Sequence, residues 1–226
     1  MPGRRILMGR SKGFTLVELL VALALMALMA TLAWRGLDAM TRTQTQTQKH
    51  ADDVLSLQAG LAQWSADLDA LAQQPSLPGL DWDGRALRML RHSAATPAEG
   101  LRVVAWSQRN IGGAGQWLRW QSPPLRTRVE LQQAWDKAAL WAQNPGDEER
   151  KREVRIVPLD RWQIYYYRGG AWSNPLSSQG AAADARTGAE SAVPDGVRVV
   201  LSLTPGQAIS GTLTRDWLHP GLGGGK

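Results

Sequence analysis

Gly13-Phe14-Thr15-Leu16-Val17-Glu18 joins a short basic leader to an apolar run from Phe14 to Ala33. Phe14 is the sole phenylalanine of the 226 residues, and Glu18 is the one charge in the run. The run holds 20 residues. At about 1.5 Å per residue a helix of that length spans roughly 30 Å, the hydrocarbon thickness of a bilayer. A carboxylate costs about 2.5–3.5 kcal/mol at the centre of such a helix on insertion scales, and less toward the interface. Glu18 therefore needs a partner that offsets its burial.

Lys12-Gly13-Phe14-Thr15-Leu16-Val17-Glu18-Leu19-Leu20-Val21-Ala22 resembles the type III signal of type IV pilins and pseudopilins. The matching features are Gly before the cut, Phe after it, Glu at the fifth mature position and an unbroken apolar helix. The resemblance implies that a prepilin peptidase cuts between Gly13 and Phe14 and methylates the new amine of Phe14. It implies that Glu18 then pairs with the N-terminal ammonium of a neighbouring subunit in a helical filament. Opposite charges attract far more strongly in a low-dielectric medium than in water. Unpaired ones are expensive to bury, so such a pair would set the register of assembly.

A conventional secretory signal fits the segment less well. It also has a basic start and an apolar core, and Thr31-Leu32-Ala33 is a passable small-residue cut site. An acid inside the core and the length of the run argue against it. A plain single-span anchor needs neither the Gly-Phe junction nor Glu18.

The formal net charge is +6, and the leader to Gly13 carries Arg4, Arg5, Arg10 and Lys12 without an acid. Taking these four positive charges away leaves +2, and no basic stripe remains, so nucleic-acid binding is not expected. The leader's charges follow the positive-inside rule, which leaves Phe14 cytoplasmic and everything after Ala33 outside the cytoplasm. The expected location is the inner membrane, single-pass, with a periplasmic domain. Cysteine is absent, so an exported domain must rely on its core rather than disulfides. Eleven Trp stand against three Tyr and one Phe. They are expected to form the core of a β-rich domain rather than a carbohydrate platform, because Trp buries a large area.

The chain divides into a leader (1–13), a membrane and assembly helix (14–33), its continuation (34–74), a β-rich domain (79–220) and a tail (221–226). From Trp34 to Gln74 there is no proline, and Pro75 and Pro78 are the first breakers. Val54, Leu57, Leu61, Trp64, Leu68 and Leu71 alternate three- and four-residue steps, an apolar stripe for laying a helix on a sheet. A coiled coil is the competing use of that stripe. Thr41–Lys49 is polar all round, and threonine is a mediocre helix former, so fraying is expected there.

Beyond Pro78, short apolar or alternating runs predict strands at Arg85–Arg91, Leu101–Ser107, Gln116–Gln121 and Leu125–Leu131. Further strands are predicted at Arg155–Val157, Trp162–Arg168, Val197–Leu203 and Gly211–Leu218. Gly112–Gly115 marks a tight turn and Gln132–Ala142 a short helix. Asp147–Glu153 is expected to be a solvated loop and Ser177–Pro194 to be mobile. The fold class is α+β: a long N-terminal helix packed on a twisted antiparallel sheet.

Catalytic signals are poor. His50, His92 and His219 lack ligand-like spacing, and neither H-E-x-x-H nor G-x-S-x-G occurs. No D-x-D-x-D series supports a calcium site. Gly221–Lys226 has the composition of a phosphate loop but no helix after it. Asp52, Asp53, Asp67 and Asp69 are expected to be solvated helix residues. Neither an enzyme nor a cofactor is expected.

Trp34-Arg35-Gly36-Leu37-Asp38-Ala39-Met40 is similar to the J-type minor pseudopilins of type II secretion. So are Leu159–Arg168, Ala171–Pro175, Pro194–Leu201 and Thr214–Trp217, more loosely. The resemblance implies a tip complex with the I and K pseudopilins, and H below. It also implies contact with an inner-membrane assembly platform and with secreted proteins on their way through the outer membrane. Minor pilins of type IV pili share the signal and anchor; many of them close a disulfide loop, which this chain cannot. A membrane-anchored binding module built on exposed tryptophans is a third possibility.

Overall fold

The computed structural model describes residues 13–93, 100–177 and 193–223. The leader before Gly13, the Ala/Gly/Ser stretch 178–192 and the end of the tail from 224 lie outside the described residues. Residues up to Lys49 and residues from His50 form two compact units.

The first helix, α1, runs Leu16–Asp69. In the first unit the polar stretch is helical rather than frayed. Thr41, Thr43 and Thr45 donate their hydroxyls to the carbonyls of Leu37, Ala39 and Thr41, each at 2.9 Å. Arg42 pairs with Asp38 one turn back at 2.9 Å. Back-bonding satisfies hydroxyls that would otherwise compete with the helical backbone.

In the second unit α1 ends at Asp69 rather than at Gln74. Leu71 N–H bonds Leu68 O in a tightened last turn, and Ala72 N–H then bonds Leu90 O at 2.8 Å. Sheet pairing captures the chain before Pro75 has to break the helix.

Strands β1 (Leu80–Trp82), β2 (Ala86–His92), β3 (Leu101–Ile111) and β4 (Ala114–Gln121) follow. Then come α2 (Arg128–Gln143), α3 (Asp147–Arg150), β5 (Glu153–Arg168), β6 (Ala171–Ser173), β7 (Gly196–Leu203) and β8 (Gly211–Leu218). The strands form one antiparallel sheet in the order β1-β2-β3-β4-β5-β7-β8, with β6 paired to β5. The β3–β4 turn is made by Gly112 and Gly113, both at positive φ, where a side chain would be strained.

Two sequence expectations fail here. Leu125–Leu131 is not a strand. Leu125 makes a lone bridge to Leu101, and α2 starts at Arg128 because Thr127 and Glu130 form a capping box. Hydrogen bonds from the Arg126 and Thr127 amides hold the Glu130 carboxyl below the usual carboxylate range. Arg155–Val157 and Trp162–Arg168 are one strand, not two. Pro158 sits where the β4–β5 register shifts, a place where a missing ladder donor is tolerated.

Alternation along the strands serves two cores. On one face Leu57, Trp64 and Leu68 of α1 pack with Met89, Trp106, Trp117, Trp162, Ile164 and Leu201. The apolar stripe is thus spent on the sheet and not on a coiled coil. On the other face Leu131, Trp135, Ala138 and Trp141 of α2 cover Leu90, Val103, Leu118 and Trp120 of β2–β4. Nine of the eleven tryptophans are buried; Trp34 and Trp172 are not. The architecture is the expected α+β class.

Candidate functional site

At the head of α1 the sequence T-x-x-E closes on itself. Thr15 N–H and Thr15 Oγ1 both donate to Glu18 Oε2, at 3.0 and 2.9 Å, and Glu18 N–H donates to Thr15 Oγ1 at 3.3 Å. These are the reciprocal bonds of a capping box, which satisfy amide groups that a helix start leaves open. A carboxylate in the first turn is also favoured by the helix dipole. Glu18 therefore has a local structural role that its place in the signal motif alone did not suggest. The pattern Thr15…Glu18 was the signal for it.

Gly13 lies at the first described position, with nothing within 4 Å of where a Cβ would be. Phe14 is 83% exposed, and the large apolar side chains that follow it, from Leu16 to Met40, are exposed as well. Gly13, Phe14 and Glu18 thus fall together at one end of a helix long and apolar enough to cross a membrane.

Asp67 is the largest departure from expectation. Far from being solvated, it is fully buried, and its carboxylate accepts from Gln63, Trp106, Arg119 and Arg91. Asp69 accepts the indole N–H of Trp217 at 2.7 Å. Two acids within the last turn of α1 thus tie it to β2, β3, β4 and β8. Glu153, placed by sequence in a solvated loop, is likewise inside. It takes Arg109 Nη2 at 2.6 Å and Trp141 Nε1 at 3.0 Å. No short-range pattern could reveal these acids, because their partners lie on distant strands.

The three histidines stay apart: His50 on α1, His92 on β2, and His219 after β8 with its ring beside Trp217. Among the described residues no group of three His, Cys, Asp or Glu side chains could hold a metal ion.

Residues 8–34 match the model of the prokaryotic N-terminal methylation motif. This supports a type IV pilin-like protein. The apolar helix and the motif together indicate a single-pass membrane anchor and processing by a prepilin peptidase. They also indicate assembly with other pilin-type subunits. A pilin-type chain is structural rather than enzymatic. The helix followed by an antiparallel sheet domain is consistent with a pilin-like fold. Comparison with curated proteins gives no match.

Proposed function

We propose that this chain is a J-type minor pseudopilin of a type II secretion system. The observation that carries the pilin-type role is the Gly13-Phe14 junction followed by the Thr15–Glu18 capping box and an exposed apolar helix. The peptidase cuts after Gly13 and the Phe14 amine is methylated. Both Thr15 bonds fall on Glu18 Oε2, so the carboxylate keeps acceptor capacity for the ammonium of an adjacent subunit.

Support for the J type is the run of segments Leu159–Arg168, Ala171–Pro175, Pro194–Leu201 and Thr214–Trp217, which contribute to β5, β6, β7 and β8. In this role the protein joins the I and K types at the tip of a periplasmic pseudopilus, with H below. It acts with the assembly platform and helps move folded proteins outward. Deleting the gene should block release of secreted proteins; normal secretion with lost pilus function would assign it instead to a type IV pilus as a minor pilin. A ligand-binding module loses its motive, since nine tryptophans are spent on the core.

A further inference from the structure

The apolar character of α1 does not end at Ala33. Trp34, Leu37 and Met40 are exposed along the next two turns. At about 100° per residue they share an arc of about 120°. Arg35, Asp38 and Arg42, also exposed, fall within about 60° on another side of the helix. Large apolar side chains then stop, and none occurs from Thr41 to Asp53.

The lengths agree with a boundary at Met40. Phe14 to Met40 is 27 residues, a rod of about 40 Å. At the tilt of about 20° usual for membrane helices it rises about 38 Å. A bilayer offers about 30 Å of hydrocarbon and roughly 5–7 Å of headgroup region on each side. The two extra turns therefore match one headgroup layer. That layer also suits their chemistry. Trp favours it because its ring is apolar and its indole N–H polar. Arg42 is committed to Asp38 at 2.9 Å. This leaves Arg35, exposed and without an ion-pair partner among the described residues, to face phosphate oxygens.

We propose that Trp34, Leu37 and Met40 lie in the outer headgroup layer of the membrane, with Arg35 on lipid phosphate, so that the lipid-bound part of α1 ends at Met40. Trp34 then sets how deep the helix sits, since a ring held at the interface resists both withdrawal and further immersion. The occupant is lipid because this face continues the membrane span without a break in the helix. The inference rests on the single-pass anchor and concerns the two turns beyond it.

The chain has no cysteine, so single-cysteine variants of the full chain in lipid nanodiscs can each carry one bimane probe. Leu23→Cys samples the span, Leu37→Cys and Met40→Cys the two turns, and Gln44→Cys the same side of the helix past the boundary. Brominated lipid should quench Leu23→Cys in the core and Leu37→Cys and Met40→Cys at headgroup depth. All three should be several-fold less open to iodide than Gln44→Cys. Trp34→Gln should raise iodide access at residues 37 and 40 several-fold. Arg35→Glu should abolish any dependence of that access on phosphatidylglycerol content. If residues 37 and 40 are as open as residue 44 while residue 23 stays protected, the proposal is overturned and the anchor stands. If residue 23 is open too, both fail. Protection at 37 and 40 that requires added pilin-type subunits overturns the proposal in favour of a protein neighbour, and indifference to both Trp34→Gln and Arg35→Glu overturns it as well.

Discussion

Arg119 on β4 grips Asp67 on α1 through two hydrogen bonds, Nε to Oδ2 at 2.7 Å and Nη2 to Oδ1 at 2.8 Å. Two parallel bonds between a planar fork and a carboxylate fix orientation as well as distance. The pair sets where the last turns of α1 rest on the sheet, and Trp106, Arg91 and Gln63 complete the ring of donors.

Breaking that ring leaves the buried guanidinium of Arg91 and the largely buried one of Arg119 without a counter-charge. Asp67→Asn is expected to cost about 3–5 kcal/mol of stability. Denaturant unfolding of the full chain in detergent measures it. A loss below about 1 kcal/mol would mean that Asp67 is as replaceable as a surface acid.

Gly60 faces Ile156 too closely for any side chain. Gly60→Ala is expected to destabilise by about 1–3 kcal/mol through overpacking, although alanine is the better helix former. Ile156→Ala removes the blocking methyl, so the double variant should lose less than the sum of the two single ones. A double-mutant cycle reads this coupling, and strict additivity would contradict the contact.

Arg198 holds Asp216 across the β7–β8 pair with bonds of 2.6 and 2.7 Å, which keeps the Asp216 carboxyl below the ordinary aspartate value. The folded state thus prefers the ionised acid. Its contribution is present above the ordinary value and is lost as pH falls through the lowered one. A carboxyl carbon NMR titration should show Asp216 protonating only below the ordinary aspartate range, and Arg198→Ala should move its midpoint upward. An unmoved midpoint would remove the ion pair as the cause.

The Thr127 cap gives a smaller and separate test. Thr127→Ala should cost about 1 kcal/mol, because the Glu130 amide loses its acceptor at the start of α2. Thr127→Ser keeps the oxygen and should recover most of it. Equal losses for both would place the effect elsewhere.

Much of this architecture is legible in the chain. The step of three and four from Leu57 to Leu68 gives the helix face that meets the sheet. Alternation in Val197–Leu203 gives β7, and the glycine pair after Ile111 gives a hairpin. What escapes is of two kinds. Leu125–Leu131 has strand-like alternation, but Thr127 and Glu130 three residues apart hand it to a helix; local capping wins over periodicity. Asp67 looks like any helix-surface acid, because Arg91 and Arg119 are distant in sequence and only the fold brings them to it. At the head of α1 the junction was plain, yet the bonds from Thr15 to Glu18 show the acid also serving its own helix.

The central claim is that the chain is trimmed between Gly13 and Phe14 before it assembles. Intact-mass and N-terminal sequencing of protein isolated from its native membrane should find a chain that begins at an N-methylated Phe14, and Gly13→Ala should retain the leader. A mature chain that starts at Met1 or at Trp34 would contradict the account.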